Sequence, residues 1–239
     1  VTSIGNYVFS GCTGLTQPVY NATCFAYFPD GYATEYTIPD GIEQVAGTAF
    51  YGCSGITSVA IPNSVTRIGD GAFSYSSNLT EINIPASVTS VGSGVFDRSG
   101  WYNSQPDGIL YLDGWCVGCK GNEPEGTLNI VEGTIGIADF AFSHCYELTV
   151  LIIPNSVRSI GSGAFFECEG LASIAIPESV TTIAENAFVY CSSLETITVD
   201  NGNTIYDSRD NCNAIIETES NALILGCQNT IIPNSVTRI

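Results

Sequence analysis

IPNSVTRIGDGAFSYSSNLTEIN, from Ile61 to Asn83, returns reworded as IPNSVRSIGSGAFFECEGLASIA from Ile153 to Ala175. Self-similarity at a fixed period of about 20 to 50 residues marks a stack of units, each burying its apolar face only against its neighbours. With the Ile before Pro as position one, units begin at Ile38, Ile61, Ile84, Ile130, Ile153, Ile176 and Val199, and a partial one at Ile232. The frame also runs backward, with Val1, Ile4, Gly5, Val8, Phe9, Cys12 and Leu15 in the slots of Val65, Ile68, Gly69, Ala72, Phe73, Ser76 and Leu79.

Each slot has a physical job. Position thirteen is Phe9, Phe50, Phe73, Phe96, Phe142, Phe165 and Phe188, each preceded by a small Ala or Val, so large rings are expected to stack as an aromatic spine. Branched residues such as Val65, Ile68, Ile82 and Ile84 complete the core, each worth about 1.5–3 kcal/mol when fully buried, before the entropy cost. Thr80 to Ile84 alternates polar and apolar, the pattern of a short half-buried strand that Pro85 ends. Val65 to Ile68 is expected to be a second strand or extended segment, and Asp70 to Ser76 a short 3₁₀ or α turn. Strands of successive coils then pair in parallel about 4.8 Å apart.

The expected fold is therefore a β-rich solenoid, a right-handed coil stack of 23-residue repeats forming a single domain over 1–239. Repeats fall near 1–16, 38–60, 61–83, 84–106, 130–152, 153–175 and 176–198, with an irregular one at 199–231 and a partial one at 232–239. Three hairpin insertions interrupt the frame. One lies near 17–37, as Thr23 to Phe28 and Tyr32 to Thr37 around Pro29-Asp30-Gly31. A second is near 108–120, where Asp113-Gly114 is a strong two-residue turn signal, and a third near 214–227. Ile84 and Ile130 lie two full periods apart, so the second insertion is expected to replace one coil.

The pattern IPxSVTxIGxxAFxxCxxLTxI resembles the BspA-like leucine-rich repeats of surface proteins from host-associated bacteria. Leu79, Ile82 and Ile84 match the LxxLxL core of such repeats, while a Pro-x-Ser turn takes the place of the usual Asn. The resemblance implies a curved leucine-rich repeat solenoid, a secreted or cell-surface location and an extracellular binding role. It transfers no catalytic residue.

Six Lys plus Arg stand against 24 Asp plus Glu, a net charge of −18 that opposes nucleic acid and anionic lipid as partners. No run approaches 18 consecutive apolar residues, so no membrane insertion is expected in this segment. With no Met anywhere and no signal peptide, the chain reads as a mature or trimmed piece of something longer.

Five of the ten cysteines, Cys12, Cys53, Cys145, Cys168 and Cys191, share position sixteen with Ser76 and Ser99, which reads as a ladder of small buried side chains. Cys24, Cys116, Cys119, Cys212 and Cys227 lie in or beside the insertions, and Cys212 with Cys227 is a candidate bridge. Cys116 and Cys119 have metal or redox spacing, but three residues apart on a strand they face opposite sides unless it bulges, and His144 is the only histidine. His144 beside Cys145 reads as a surface histidine next to a ladder residue, not a nucleophile and base. The acidic run from Asp200 to Asn211 lacks the ligand spacing of a calcium loop. No metal, cofactor or catalytic residue is therefore assigned.

The outward strand positions, Ser58 and Ala60, Glu81 and Asn83, Val150 and Ile152, Ser173 and Ala175, Thr196 and Thr198, are small and mixed, without a charged or aromatic theme. The large candidate anchors are Trp101, Tyr102, Tyr111 and Trp115 around the second insertion, and Tyr32 and Tyr36 in the first. Trp and Tyr are enriched at binding hot spots, but the same residues also cap a core where a repeat is interrupted. The expectation is a non-enzymatic binding or adhesion module for an unidentified protein or glycan on a host or microbial surface. The rivals are a structural spacer and an accessory binding domain of a larger surface enzyme.

Overall fold

A computed structural model describes residues 4–5, 7–9, 12 and 14–239. Val1, assigned a slot by the repeat, lies outside them. The chain divides into two compact units, Val1–Lys120 and Gly121–Ile239, described here in turn.

The first unit carries β1 (Val19–Tyr20), β2 (Cys24–Tyr27), β3 (Glu35–Thr37), β4 (Gln44–Val45), β5 (Ser58–Ala60), β6 (Arg67–Ile68), β7 (Glu81–Ile82), β8 (Ser90–Val91), α1 (Gly100–Ser104), β9 (Gly108–Leu112) and β10 (Trp115–Lys120). β3, β5 and β7 make one parallel stack, with Glu35 beside Ser58 and Ser58 beside Glu81. β2, β4, β6 and β8 make another, with Gln44 beside Arg67 and Arg67 beside Ser90. The steps from β3 and from β4 onward are each 23 residues, so each coil gives one strand to each stack.

The first insertion departs from its expected hairpin. Thr23 to Phe28 and Tyr32 to Thr37 do not pair with each other. β2 instead pairs in parallel with β4, Cys24 beside Gln44 and 20 residues in step, while β3 pairs with β5 at the full 23, so this stretch is itself a coil. Apolar burial decides it. Phe25 and Phe28 are sequestered and lie 5.0 and 4.9 Å from Phe50, a contact that a free hairpin would forfeit. The hairpin in this region joins β1 to β2.

In the second unit the strands are β11 (Gly126–Asn129), β12 (Gly136–Ile137), β13 (Leu148–Ile152), β14 (Ser159–Ile160), β15 (Ser173–Ile176), β16 (Thr182–Ile183), β17 (Thr196–Val199), β18 (Tyr206–Asp207), β19 (Ala214–Glu217) and β20 (Ala222–Gly226). β11, β13, β15 and β17 form one parallel stack and β12, β14 and β16 the other. β18, β19 and β20 form an antiparallel sheet, with Cys212, Ala214 and Ile216 making a small core under Leu223 and Val236.

Each unit has its own phenylalanine spine. Phe50 lies 5.1 Å from Phe73, and Phe73 5.8 Å from Phe96. Phe142, Phe165 and Phe188 follow at 5.5 and 5.2 Å. Position nine is kept small for a related reason. A Cβ on Gly92 would lie 2.4 Å from the backbone N of Asp70 in the previous coil, so any side chain there pushes coils apart.

The turn expected over residues 70–76 is a series of tight turns, Ala72 N to Gly69 O, Ser74 N to Gly71 O and Ser76 N to Phe73 O. Left-handed residues at positions eleven and fifteen keep these turns from propagating as helix. Thr48, Phe140 and Asn186 at eleven, and Tyr75, Arg98, His144, Glu167 and Tyr190 at fifteen, all have φ between 54° and 65°. Each such residue costs roughly 1–2 kcal/mol. The offset is a third inter-coil ladder: with alternate residues left-handed, the amides at eleven, thirteen and fifteen all donate to the next coil. Thr48 N reaches Asp70 O at 2.9 Å, Phe50 N reaches Ala72 O at 2.8 Å, and Gly52 N reaches Ser74 O at 2.9 Å.

Candidate binding surface

Period-two alternation sends every second residue of the strands outward. In the second unit, Thr127, Val150, Ser173 and Thr196 make one outward row, and Asn129, Ile152, Ala175 and Thr198 the other. Val150 is 39% and Ile152 49% exposed, large for β-branched residues with no covering layer. Beside them runs an open groove of about 350 Å³, walled by Ile152, Asn155, Ala175, Pro177, Thr198 and Asp200. A more polar groove of about 310 Å³ follows, walled by Thr198, Asn201, Ser208, Asn211, Asn213 and Asn229. The corresponding face of the first unit is more acidic, with Glu35 and Glu81 flanking Ser58.

Side chains finish the strand edges. Asn213 accepts from Ile197 N at 2.7 Å and donates to Glu195 O at 2.6 Å, standing in for a peptide unit against β17. Tyr206 Oη accepts from Ile183 N at 3.0 Å on β16. In the first unit the Asp113 carboxylate, in the Asp-Gly turn between β9 and β10, accepts from Ile84 N at 2.8 Å. Elsewhere that amide slot is served by the next coil, as Ile38 N is by Ala60 O.

The insertion aromatics divide by exposure. Trp101 and Trp115 are 8% and 2% exposed, which places both with core packing. Trp101 lies 5.1 Å from the Phe96 ring, and the buried Trp115 Nε1 has no hydrogen-bond partner. Tyr102 is half-buried under the Lys120 ammonium, 5.3 Å from its ring, which also takes the carbonyls of Tyr102, Asn103 and Gln105 at the end of α1. Tyr111 is half-buried, and Tyr36 packs 5.0 Å from Phe28. Tyr32, 42% exposed, is the most open of the six.

All ten cysteines are free thiols. The candidate Cys212–Cys227 bridge is not formed, because β19 and β20 pair Ala214 with Gly226 and so set Cys227 opposite Asn213. Cys227 Sγ lies 3.5 Å from the Asn213 carbonyl instead. The ladder has a donor logic that composition alone missed. Cys53, Cys168 and Cys191 donate Sγ–H to the carbonyls of Phe28, Phe142 and Phe165, as Ser76 donates to Phe50 O at 2.6 Å. Burial pushes the Cys53 thiol up to about 12 and Cys191 to about 11. For Cys168, the hydrogen bond with Cys145 raises the thiol first, and burial adds to it. These are inert thiols.

The strand does bulge between Cys116 and Gly118. Cys116 is fully buried, which pushes its thiol to about 12. No group of three or more His, Cys, Asp or Glu that could hold a metal ion occurs among the described residues. In the Asp200 to Asn211 run, Asp207 is clamped by Arg209, with Nη2 at 2.5 Å and Nε at 2.8 Å. His144 faces away from Cys145, whose side chain is buried, and meets Glu167 Oε2 at 3.1 Å and Tyr146 Oη at 3.2 Å. Among the described residues no helix is long and apolar enough to cross a membrane.

A family model described as the BspA type leucine rich repeat region matches residues 1–99 and 126–236, in six copies. Among solved structures, a leucine rich cell surface protein from Faecalibacterium prausnitzii A2-165 is 31% identical over 100% of this chain and 54% of its own, with a TM-score of 0.44. The present chain thus spans about half of that protein's length. A leucine rich repeat protein of T. pallidum is 27% identical over 77% of this chain and 79% of its own, with a TM-score of 0.40. The pneumococcal vaccine antigen PcpA is 21% identical over 84% and 48%, with a TM-score of 0.37. No curated protein matches the chain.

Proposed function

We propose, from the premise that this chain belongs to the BspA-type leucine-rich repeat family, that it is a non-enzymatic binding module presented on a bacterial surface, which docks a protein or glycan through the strand face of its second unit. One observation carries the reading: the two outward rows of β11, β13, β15 and β17 are uncharged and uncovered in a chain of net charge −18. A face from which charge has been withdrawn loses little on desolvation, and interface cores are depleted of charge in the same way. The adjoining grooves supply shape, and the second supplies amides suited to hydroxyls or peptide groups. Of the insertion aromatics, Tyr32 is the most exposed, and it belongs to the first unit.

The test introduces charge on the uncovered rows. The Ile152→Glu, Thr198→Glu double variant, checked for native circular dichroism, should bind an immobilised host-matrix protein or arrayed glycan about ten-fold or more weaker than the parent chain. Equal binding by the folded variant would remove the strand face from the proposal. A parent chain that binds nothing on either panel would favour a spacer.

A further inference from the structure

The turns that contain the left-handed residues present a second surface that the strand-face reading does not use. In the second unit Phe140, His144, Tyr146, Phe166 and Tyr190 touch in series along these turns. Phe140 lies 6.2 Å from Phe166, and Phe166 lies 5.8 Å from His144 and 5.3 Å from Tyr190. His144 is 5.9 Å from Tyr146. Phe140, Tyr146 and Tyr190 are 44%, 46% and 66% exposed, and Phe140 and Tyr190 sit at left-handed φ of 54° and 63°.

Carboxylates surround these rings. Glu167 holds His144 from the next coil. The Tyr146 hydroxyl is raised above its ordinary value by local desolvation and then by Glu167, Glu169 and Glu123. Residues 121–239 contain fifteen acids but only Arg158, Arg209 and Arg238 as fixed cations, and Arg209 is held by Asp207.

The first unit shows what such a ladder accepts. Tyr7, Tyr51 and Tyr75 follow one another at 5.7 and 5.1 Å on its turns, and the next residue in the row is Arg98, with its guanidinium 5.2 Å from the Tyr75 ring centroid. That ladder carries its own cation. At the same position in the second unit stand His144, Glu167 and Tyr190.

We propose that this aromatic and carboxylate turn face of the second unit is a docking surface for the Lys and Arg side chains of a basic protein segment. Charge favours a cation over a sugar. Fifteen acids stand against three fixed cations in this unit, with Glu167 among the rings, which attracts a guanidinium or ammonium and gives nothing to a neutral pyranose, and an exposed ring such as Tyr190 adds a cation–π contribution.

The experiment titrates the full chain with a fluorescein-labelled peptide of alternating Arg and Ser, with a Gln-for-Arg peptide and a linear oligosaccharide as controls. The Arg peptide should bind, and the Phe166→Leu, Tyr190→Ala double variant should weaken it by about five-fold or more. Glu167→Gln should weaken it separately. Tyr75→Ala in the first unit and Ile152→Glu on the strand face should leave it unchanged, so failure here and failure of the strand-face reading are separable. Native circular dichroism is the entry condition for each variant, and Tyr190→Ala alone, at an exposed ring, serves if the double variant does not fold. Equal affinity of the ring variant and the parent chain would overturn the proposal, because binding would then report only net charge. Capture of the oligosaccharide but not the peptide would overturn it too.

Discussion

At the residue scale, position sixteen shows how one slot admits two chemistries. Cys and Ser alternate there because both are small and both donate to the carbonyl of the spine phenylalanine one coil back. Smallness was legible in the sequence, but the donor role was not, since its acceptor lies 26 residues away. Cys168→Ser should therefore be tolerated, whereas Cys168→Ala, which matches Ser in size but has no donor, leaves the buried Phe142 carbonyl unpaired and should cost about 1–3 kcal/mol more in urea denaturation. Equal midpoints for the two variants would show that the slot selects on size alone. Position fifteen holds a similar lesson. It tolerates Gly52, Tyr75, Arg98, His144, Glu167 and Tyr190 because what is required there is a backbone conformation and an amide aimed at the next coil, while the side chain is free to vary.

At the scale of elements, two-residue strands such as β4 or β6 hold nothing by themselves and persist because 23-residue steps place identical pieces in register. Where the steps stop, side chains replace the absent strand. Asn213→Ala removes both bonds that close β17 and should lower the melting temperature and raise amide exchange at Ile197, while Asn213→Asp, which keeps the acceptor, should retain Ile197 protection. Unchanged exchange in the alanine variant would mean that another group closes the edge. The Asp113-Gly114 turn and the β19–β20 sequence were readable as local signals. The first insertion was not, because Pro29-Asp30-Gly31 looks like a hairpin turn locally and only the burial of Phe25 and Phe28 against Phe50 makes β2 and β3 the two sides of a coil.

Over the whole molecule, the buried thiols create a distinct alkaline limit. Folding keeps their protons while the unfolded chain releases them near the ordinary value of 9.0, so the unfolded state binds fewer protons as pH rises and stability falls. That contribution is complete below about pH 9 and is lost as pH climbs through about 11 to about 12, where Cys191 and Cys53 titrate in the folded chain. Melting temperatures should decline steeply across that window, and a chain with Ser at Cys53, Cys168 and Cys191 should decline less; parallel declines would assign the effect to other groups. By itself the sequence determined the repeat, its 23-residue period, the phenylalanine spine and the strand alternation, because each is a local pattern that recurs and needs no distant partner to be recognised. Only the tertiary structure decided which side chains close the strand edges, that both tryptophans are packing residues, and that left-handed turns display a row of aromatics among carboxylates. Those outcomes depend on what the neighbouring coil presents across a few ångströms: the period says which slots meet, but not which hydrogen bond, burial or ring contact their meeting makes.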